Sequence, residues 1–169
     1  YGSGTITQGI RERLLVACRG RGVPTIVDSR YSVRSFSGVD YVKQNDAELA
    51  AAFERHFDTK DALEEAAREL IAELGAKGAL ITRGEKGMML FLADGARHEI
   101  PVSDKSEVYD VSGAGDTCVA AFILALAGGA LPLTAAQLSN IASGIAVRKF
   151  GTATVSAAEL AKKVRELSA

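Results

Sequence analysis

Only two cysteines occur in the 169 residues, Cys18 and Cys118. They lie far apart, each inside an apolar helical pattern, and their spacing suits neither a metal-ligand set nor a disulfide framework. Histidine is equally scarce. His56 and His98 are isolated, one on a helix candidate and one on a strand candidate, and read as surface side chains rather than as bases or ligands. An excess of either charge is also missing: 20 Lys and Arg stand against 21 Asp and Glu, a formal net charge of -1. Nothing therefore draws nucleic acid or an anionic membrane to the chain in general, and any anion must be bound locally. No run approaches the roughly 18 consecutive apolar residues of a membrane span. The N-terminal YGSGTITQG has neither the charged nor the apolar region of a signal peptide. These absences predict a cytoplasmic protein with no nucleic-acid or membrane partner. The chain does not open on methionine, so it is expected to be a processed or excised piece.

What is present is ordinary for a globular domain: 47% hydrophobic and 24% charged residues, with no repeat, low-complexity tract or linker. One domain over residues 1–169 with a real core is expected. Residues 5–19 carry Ile6, Ile10, Leu14 and Ala17 at helical spacing before Gly20, and Pro24 to Asp28 follow as a strand. A loop over 29–38 precedes a short strand at 41–43 and a helix over 46–57. Asp61 with Glu64 forms a capping-box pattern, Leu63, Ala67, Leu70, Ile71 and Leu74 make one apolar face, and Gly75 stops that helix. Residues 79–82 read as a buried strand, and 88–92 and 97–100 as a hairpin about Asp94-Gly95. Residues 108–111 lead into a helix ended by Gly128 and Gly129. Thr134 with Gln137 opens the next helix, and Ser156 with Glu159 opens the last. Alternating strands and helices predict an α/β layered sandwich, a mostly parallel sheet flanked by helices. Its strand C-terminal ends would gather four loops, those after Asp28, at Asn45, after Thr82 and at Gly113 to Gly115, where ligands of open α/β sheets sit.

The segment VYDVSGAGDTCVAAF, residues 108–122, sets a glycine-rich turn with two aspartates against an almost wholly apolar helix. Two glycines one residue apart allow a tight turn and a close approach to a ligand. The helix that follows leaves its first amides without partners and adds positive potential. That arrangement makes an anion hole. The plainer reading, a well-capped buried helix with Asp116 in its first turn, fits the segment alone equally well. The pattern is neither a G-x-G-x-x-G dinucleotide fingerprint nor a Walker A loop.

Three further segments decide between the two readings. DVSGAGDT at 110–117 resembles the C-terminal signature of the ribokinase-like, or PfkB, sugar kinases. KQNDAE at 43–48 resembles their Asn-x-x-Glu pair, ITRGEKGMML at 81–90 their Thr-x-Gly-x-x-Gly phosphate loop, and SNIASGIAVRKFGTATVS, from Ser139 onward, the segment that closes over adenine. Within that family, VDSR at 27–30, TRGEKGM at 82–88, EVYDVSGAGDT at 107–117 and KFGTATVSAAEL at 149–160 are most similar to the kinase domain of bifunctional heptose enzymes. Those enzymes phosphorylate heptose 7-phosphate at the anomeric hydroxyl in lipopolysaccharide-core synthesis.

The resemblance implies ATP and Mg²⁺ as cofactors and a small sugar as substrate. Asp116 would be the catalytic base, and Gly113, Ala114 and Gly115 would form the anion hole for the transferring phosphoryl group. Asn45 and Glu48 would act on phosphates and hydrated Mg²⁺, although alone they read as a helix cap. Thr82, Gly84 and Gly87 would approach the nucleotide phosphates, or simply form a strand-to-hairpin turn. Asn140, Ser143 and Gly144 would border adenine, or pack a helix through small residues. Asp110, Ser112 and Gly151 would hold a monovalent cation such as K⁺, or hydrogen-bond loop to loop. Cys118, two residues past Asp116 on the apolar helix, is expected to be buried.

Kinases that share this resemblance are about twice as long. The N-terminal half of the sheet, the lid and most sugar contacts are expected to be missing from this chain. Self-association, or pairing with the missing half, is then expected at the cut edge of the sheet. A nucleotide-binding remnant without turnover, and a kinase for another sugar or nucleoside, stand beside the heptose reading.

Overall fold

The computed structural model describes residues 4–103 and 108–168. Two compact units make up the chain. The first runs to Arg83 and takes in Met89–Glu99; the second holds Gly84–Met88 and the chain from Ile100. The first unit contains α1 (Gln8–Arg19), β1 (Ile26–Asp28), β2 (Tyr41–Asn45), α2 (Asp46–Phe53), α3 (Lys60–Leu74) and β3 (Gly78–Thr82). It also holds nearly all of β4 (Met88–Leu92) and β5 (Arg97–Ile100). The second unit contains α4 (Ala114–Ala127), α5 (Pro132–Ala146) and α6 (Ala157–Ser168).

The five strands lie in one sheet in the order β1-β2-β3-β4-β5. β1, β2 and β3 run parallel, in a register that sets Asp28 opposite Lys43 and Asn45 opposite Thr82. The connections at 83–87 and 93–96 are too short for a crossover, so β4 and β5 return antiparallel, as the Asp94-Gly95 turn predicts. The sheet is therefore mixed, parallel over its first three strands, in an α/β layered arrangement. β2 and β3 are buried at four of their five positions; β3 is a near-continuous apolar run, whereas β2 buries Lys43 and Gln44 beside Tyr41 and Val42.

The core of the first unit lies between the sheet and α3. Leu63, Ala66, Ala67, Leu70, Ile71 and Leu74 pack with Val42, Ala79, Ile81, Met89 and Phe91. This helix starts earlier than its sequence suggests. Thr59, rather than Asp61, is the cap, its hydroxyl accepting the Ala62 amide at 3.1 Å. Glu64 is committed instead to Arg68 and Arg97, each at 2.6 Å. α2 ends at Phe53, short of residue 57, because Glu54 adopts a left-handed φ of 51° that turns the chain out of the helix. α1 begins after Thr7, which caps it, and buries none of its residues.

In the second unit, α4 packs along α5 and α5 against α6. α5 starts before the expected Thr134, because Pro132 in its first turn needs no amide partner. The expected cap of α6 is formed: the Ser156 amide donates to Glu159 at 2.8 Å and the Glu159 amide to the Ser156 hydroxyl at 3.3 Å. Lys149 at 2.6 Å, with Ser156, holds the Glu159 carboxyl down at about 2. Residues 108–111 approach α4 without joining the sheet. Among the described residues no helix is long and apolar enough to cross a membrane.

Leu70→Ala, at a site with 0% exposure, is expected to cost about 2–5 kcal/mol in urea unfolding. Leu124→Ala, at a site 70% exposed, should stay within about 0.5 kcal/mol.

Candidate functional site

The glycine-rich turn of the second unit opens α4 in the way its sequence suggests. Gly113 is the N-cap residue at φ 78°, a left-handed conformation, and an added Cβ would meet Thr152 Cγ2 at 3.1 Å. The backbone conformation favours glycine, and the contact is tighter than a Cβ ordinarily makes. The Ala114 amide donates to the Val111 carbonyl at 3.2 Å and the Thr117 amide to the Gly113 carbonyl at 2.9 Å. Of the three residues expected to form the anion hole, Gly113, Ala114 and Gly115, Ala114 has its amide committed. Gly115 and Asp116 supply the first-turn amides with no backbone acceptor among the described residues. Asp116 sits in that first turn with its side chain exposed, where the helix dipole favours a carboxylate. Cys118, two residues further, is buried, as expected.

Asp110 joins two loops. One carboxylate oxygen accepts the Ser112 amide at 2.8 Å and the other accepts the Gly151 amide at 3.1 Å, while its own amide donates to the Val147 carbonyl at 3.1 Å. These hydrogen bonds, led by those from Ser112, hold the carboxyl below the ordinary aspartate range. Beside this staple the rings of Tyr109 and Phe150 lie 5.2 Å apart. The three residues expected at a monovalent cation are thus brought together. Ser112 and Gly151 turn their N–H groups, which cannot ligate a cation, toward the Asp110 carboxylate.

α5 presents a small-residue face. Asn140 is buried and donates to the Pro101 carbonyl at 2.6 Å. The Ser143 hydroxyl lies 2.9 Å from the Ser139 carbonyl and 3.3 Å from that of Ala114. A Cβ on Gly144 would fall 2.7 Å from the Ser103 hydroxyl. These residues seat α5 against residues 101–103 and against the start of α4. Gly84 and Gly87 flank a 3₁₀ turn at Gly84–Lys86, with φ of 56° and 78°. They differ in their surroundings: the space beside Gly84 is open, whereas a Cβ on Gly87 would collide with the Ile100 carbonyl and lie 2.9 Å from Pro101 backbone.

In the first unit, Asn45 and Glu48 form the capping box of α2 in both directions. The Glu48 amide donates to Asn45 Oδ1 at 2.7 Å and the Asn45 amide to Glu48 Oε2 at 2.9 Å. Thr82 is the register partner of Asn45, its hydroxyl 3.5 Å from the Gln44 carbonyl. Three residues with no role in the sequence reading stand with them. Lys43, only 4% exposed, pairs with Asp28 at 2.8 Å and lies 4.0 Å from Glu48 Oε2. Arg30 approaches the other Glu48 oxygen at 3.7 Å. The available signal was an apolar strand run ending twice in a charge, Ile-Val-Asp and Tyr-Val-Lys. Among the described residues no three His, Cys, Asp or Glu side chains converge into a metal cage. The donors here fit a hydrated Mg²⁺ held through water by the one carboxylate of Glu48, with Asn45 beside it.

Comparison with known proteins gives the same frame. The profile of the pfkB family carbohydrate kinases matches residues 7–159. The bifunctional protein HldE of Mesorhizobium japonicum is 40% identical over 161 residues, which is 95% of this chain and 32% of that protein. The HldE of Rhodospirillum rubrum is also 40% identical, over 98% of this chain and 34% of that protein. The chain therefore spans about a third of the length of the curated relatives it matches. Among solved structures, Arabidopsis thaliana ribokinase complexed with ribose and ATP aligns at a TM-score of 0.84 and 23% identity, covering 94% of this chain and 53% of that one. Escherichia coli phosphofructokinase-2 in complex with potassium aligns at 0.81 and 24%, covering 95% and 52%. These two likenesses establish the ribokinase-like fold.

Two outcomes are expected from the loop geometry. Gly87→Ala should lower stability by about 1–3 kcal/mol through strain, plus the clash, and Gly84→Ala by no more than about 1–2 kcal/mol, both read by urea unfolding. Because the folded pKa of Asp110 is lowered, its stabilising contribution is full above the ordinary aspartate value near 3.9 and is lost as pH falls through the lowered value. The Gly151 amide resonance should titrate with a midpoint below about 3.9 and lose that step in Asp110→Asn.

Proposed function

Because the chain belongs to the pfkB family of carbohydrate kinases, we propose that it carries the nucleotide half and the catalytic base of an ATP-dependent sugar kinase. The observation that carries this reading is the mouth of α4, where two amides with no backbone acceptor among the described residues and an exposed carboxylate come from consecutive residues. A phosphoryl group in transfer spreads negative charge over its oxygens, and fixed N–H donors at a helix N-terminus stabilise that charge without reorganising. Asp116 accepts the proton of the attacking sugar hydroxyl, and Gly115 and Asp116 donate to the phosphoryl oxygens. Gly113 contributes the backbone turn, and Ala114 the turn's closing hydrogen bond.

Glu48 would hold the water of a bound Mg²⁺, which would supply positive charge to neutralise the phosphates, and Asn45 would keep that carboxylate in place. Thr82, Gly84 and Gly87 line the phosphate path, and Asn140, Ser143 and Gly144 border the base. Asp110, with the Ser112 and Gly151 segments, is the place for a monovalent cation. The potassium complex of phosphofructokinase-2 supports that assignment by fold alone. The acceptor we infer is heptose 7-phosphate at its anomeric hydroxyl, on the strength of the HldE relatives. The 169 residues then act as one portion of a longer kinase domain, with an N-terminal half supplying most sugar contacts.

A second reading is a nucleotide-binding module without turnover, since the amides at the mouth of α4 suit phosphate binding whether or not transfer follows. One assay separates the two. With heptose 7-phosphate, ribose and fructose 6-phosphate offered in turn, the kinase reading expects sugar-dependent ADP release with the heptose, by this chain alone or with the N-terminal half added. Asp116→Asn should lower kcat about 10²- to 10⁴-fold while leaving ATP binding within a few-fold. ATP binding without sugar-dependent ADP release under both conditions would establish the module instead.

A further inference from the structure

The kinase reading leaves one buried charged group unused. Lys43 is 4% exposed, in a chain whose other lysines and arginines are half-buried or exposed wherever they are described. Register places it directly opposite Asp28, and its ammonium lies 2.8 Å from that carboxylate. A buried ammonium needs compensation, and Asp28 supplies it. The same ammonium is 4.0 Å from Glu48 Oε2, the oxygen that also accepts the Asn45 amide at 2.9 Å. Glu48 Oε1 points the other way, 3.7 Å from Arg30, whose side chain is 52% exposed.

The two oxygens of Glu48 therefore have separate surroundings. Oε2 is held from inside the protein by an amide and a buried cation. Among the described residues Oε1 is paired with the exposed, long side chain of Arg30, and it is the oxygen open to exchange partners. Sequence spacing produces this division. Lys43 and Asn45 are two apart on β2 and share one face of the sheet, and Glu48 returns to Asn45 after one turn of α2. Arg30, on the loop after β1, is the group that a hydrated cation would displace.

We propose that Lys43 is a positioning residue. Tethered by Asp28, it fixes the Glu48 carboxylate with Oε2 inward, so that Oε1 alone is presented to magnesium-bound water. This rests on the kinase reading, in which Glu48 serves the Mg²⁺-nucleotide complex. Lys43 touches neither the reacting hydroxyl nor the phosphoryl group in this assignment. Its contribution is to the orientation of a ligand's carboxylate, the kind of outer contact whose loss weakens metal affinity about 10- to 100-fold.

Calorimetric titration of ATP into the full chain, with magnesium absent and then varied, tests it. Wild type is expected to bind ATP more tightly with magnesium. Lys43→Met and Asp28→Asn should each raise the magnesium concentration for half-maximal tightening about 10-fold, with metal-free ATP affinity kept within about twofold. Lys43→Arg should restore the wild-type magnesium dependence. Circular dichroism checks folding, and should Lys43→Met not fold, Asp28→Asn, which keeps the ammonium and removes its tether, carries the test against Lys43→Arg. An unchanged magnesium dependence in the folded variants would overturn the proposal. Equal loss of ATP affinity with and without magnesium would overturn it too, since that marks a direct phosphate contact. A wild-type chain that binds no ATP in either condition would instead sink the kinase reading beneath it.

Discussion

The register of three parallel strands decides which polar groups of the first unit meet. With Asp28 opposite Lys43 and Asn45 opposite Thr82, charged and hydrogen-bonding side chains collect where β1, β2 and β3 end. A slip of one residue would turn every side chain to the other face, breaking the Lys43–Asp28 pair and uncovering the core packed against α3. The apolar pattern of Val42, Ala79 and Ile81 therefore fixes the charges as well as the core. Burial of Lys43 is tolerable because the same register delivers its counter-charge.

The second unit reaches its geometry by a different means, the absence of side chains. Gly87 lies against backbone of Ile100 and Pro101, Gly144 against Ser103, and Gly113 against Thr152. Backbone leaves no room for a Cβ at Gly87, and side chains crowd the position at Gly144 and Gly113; together these approaches seat the residue 101–103 segment and the mouth of α4 on a framework of α4 and α5. Hydrogen bonds complete that seat. Asn140 takes the Pro101 carbonyl and the Ser143 hydroxyl faces the Ala114 carbonyl. Groups that the family resemblance would set beside adenine thus hold the loop structure.

Local devices were legible in the sequence. The capping boxes at Asn45 with Glu48 and Ser156 with Glu159 span three residues, and their geometry is complete within one helical turn. The Gly113 turn declared itself through glycine spacing. At the start of α3 two caps compete within Thr59-Lys60-Asp61, and the apolar face alone does not say which is used; Thr59 is, while Asp61 lies inside the first turn. What remained hidden was pairing at a distance. Lys43 with Asp28 is separated by 15 residues, Asn140 with Pro101 by 39 and Gly151 with Asp110 by 41. Each depends on how elements are laid beside one another, which periodicity does not encode. The sheet's parallel strands and its hairpin were both readable, because connection length alone separates them.

The link between Asp110 and Gly151 has a topological consequence. It joins the segment entering α4 to the segment leaving α5, so the two helices and the turn between them form a closed ring of chain, shut by hydrogen bonds at one end. In a ring, a single cut does not release either strand. A nick in the turn at Gly128-Gly129 would leave α4 and α5 tied through Asp110 and through their shared packing, so the helix mouth would outlast the continuity of the polypeptide behind it.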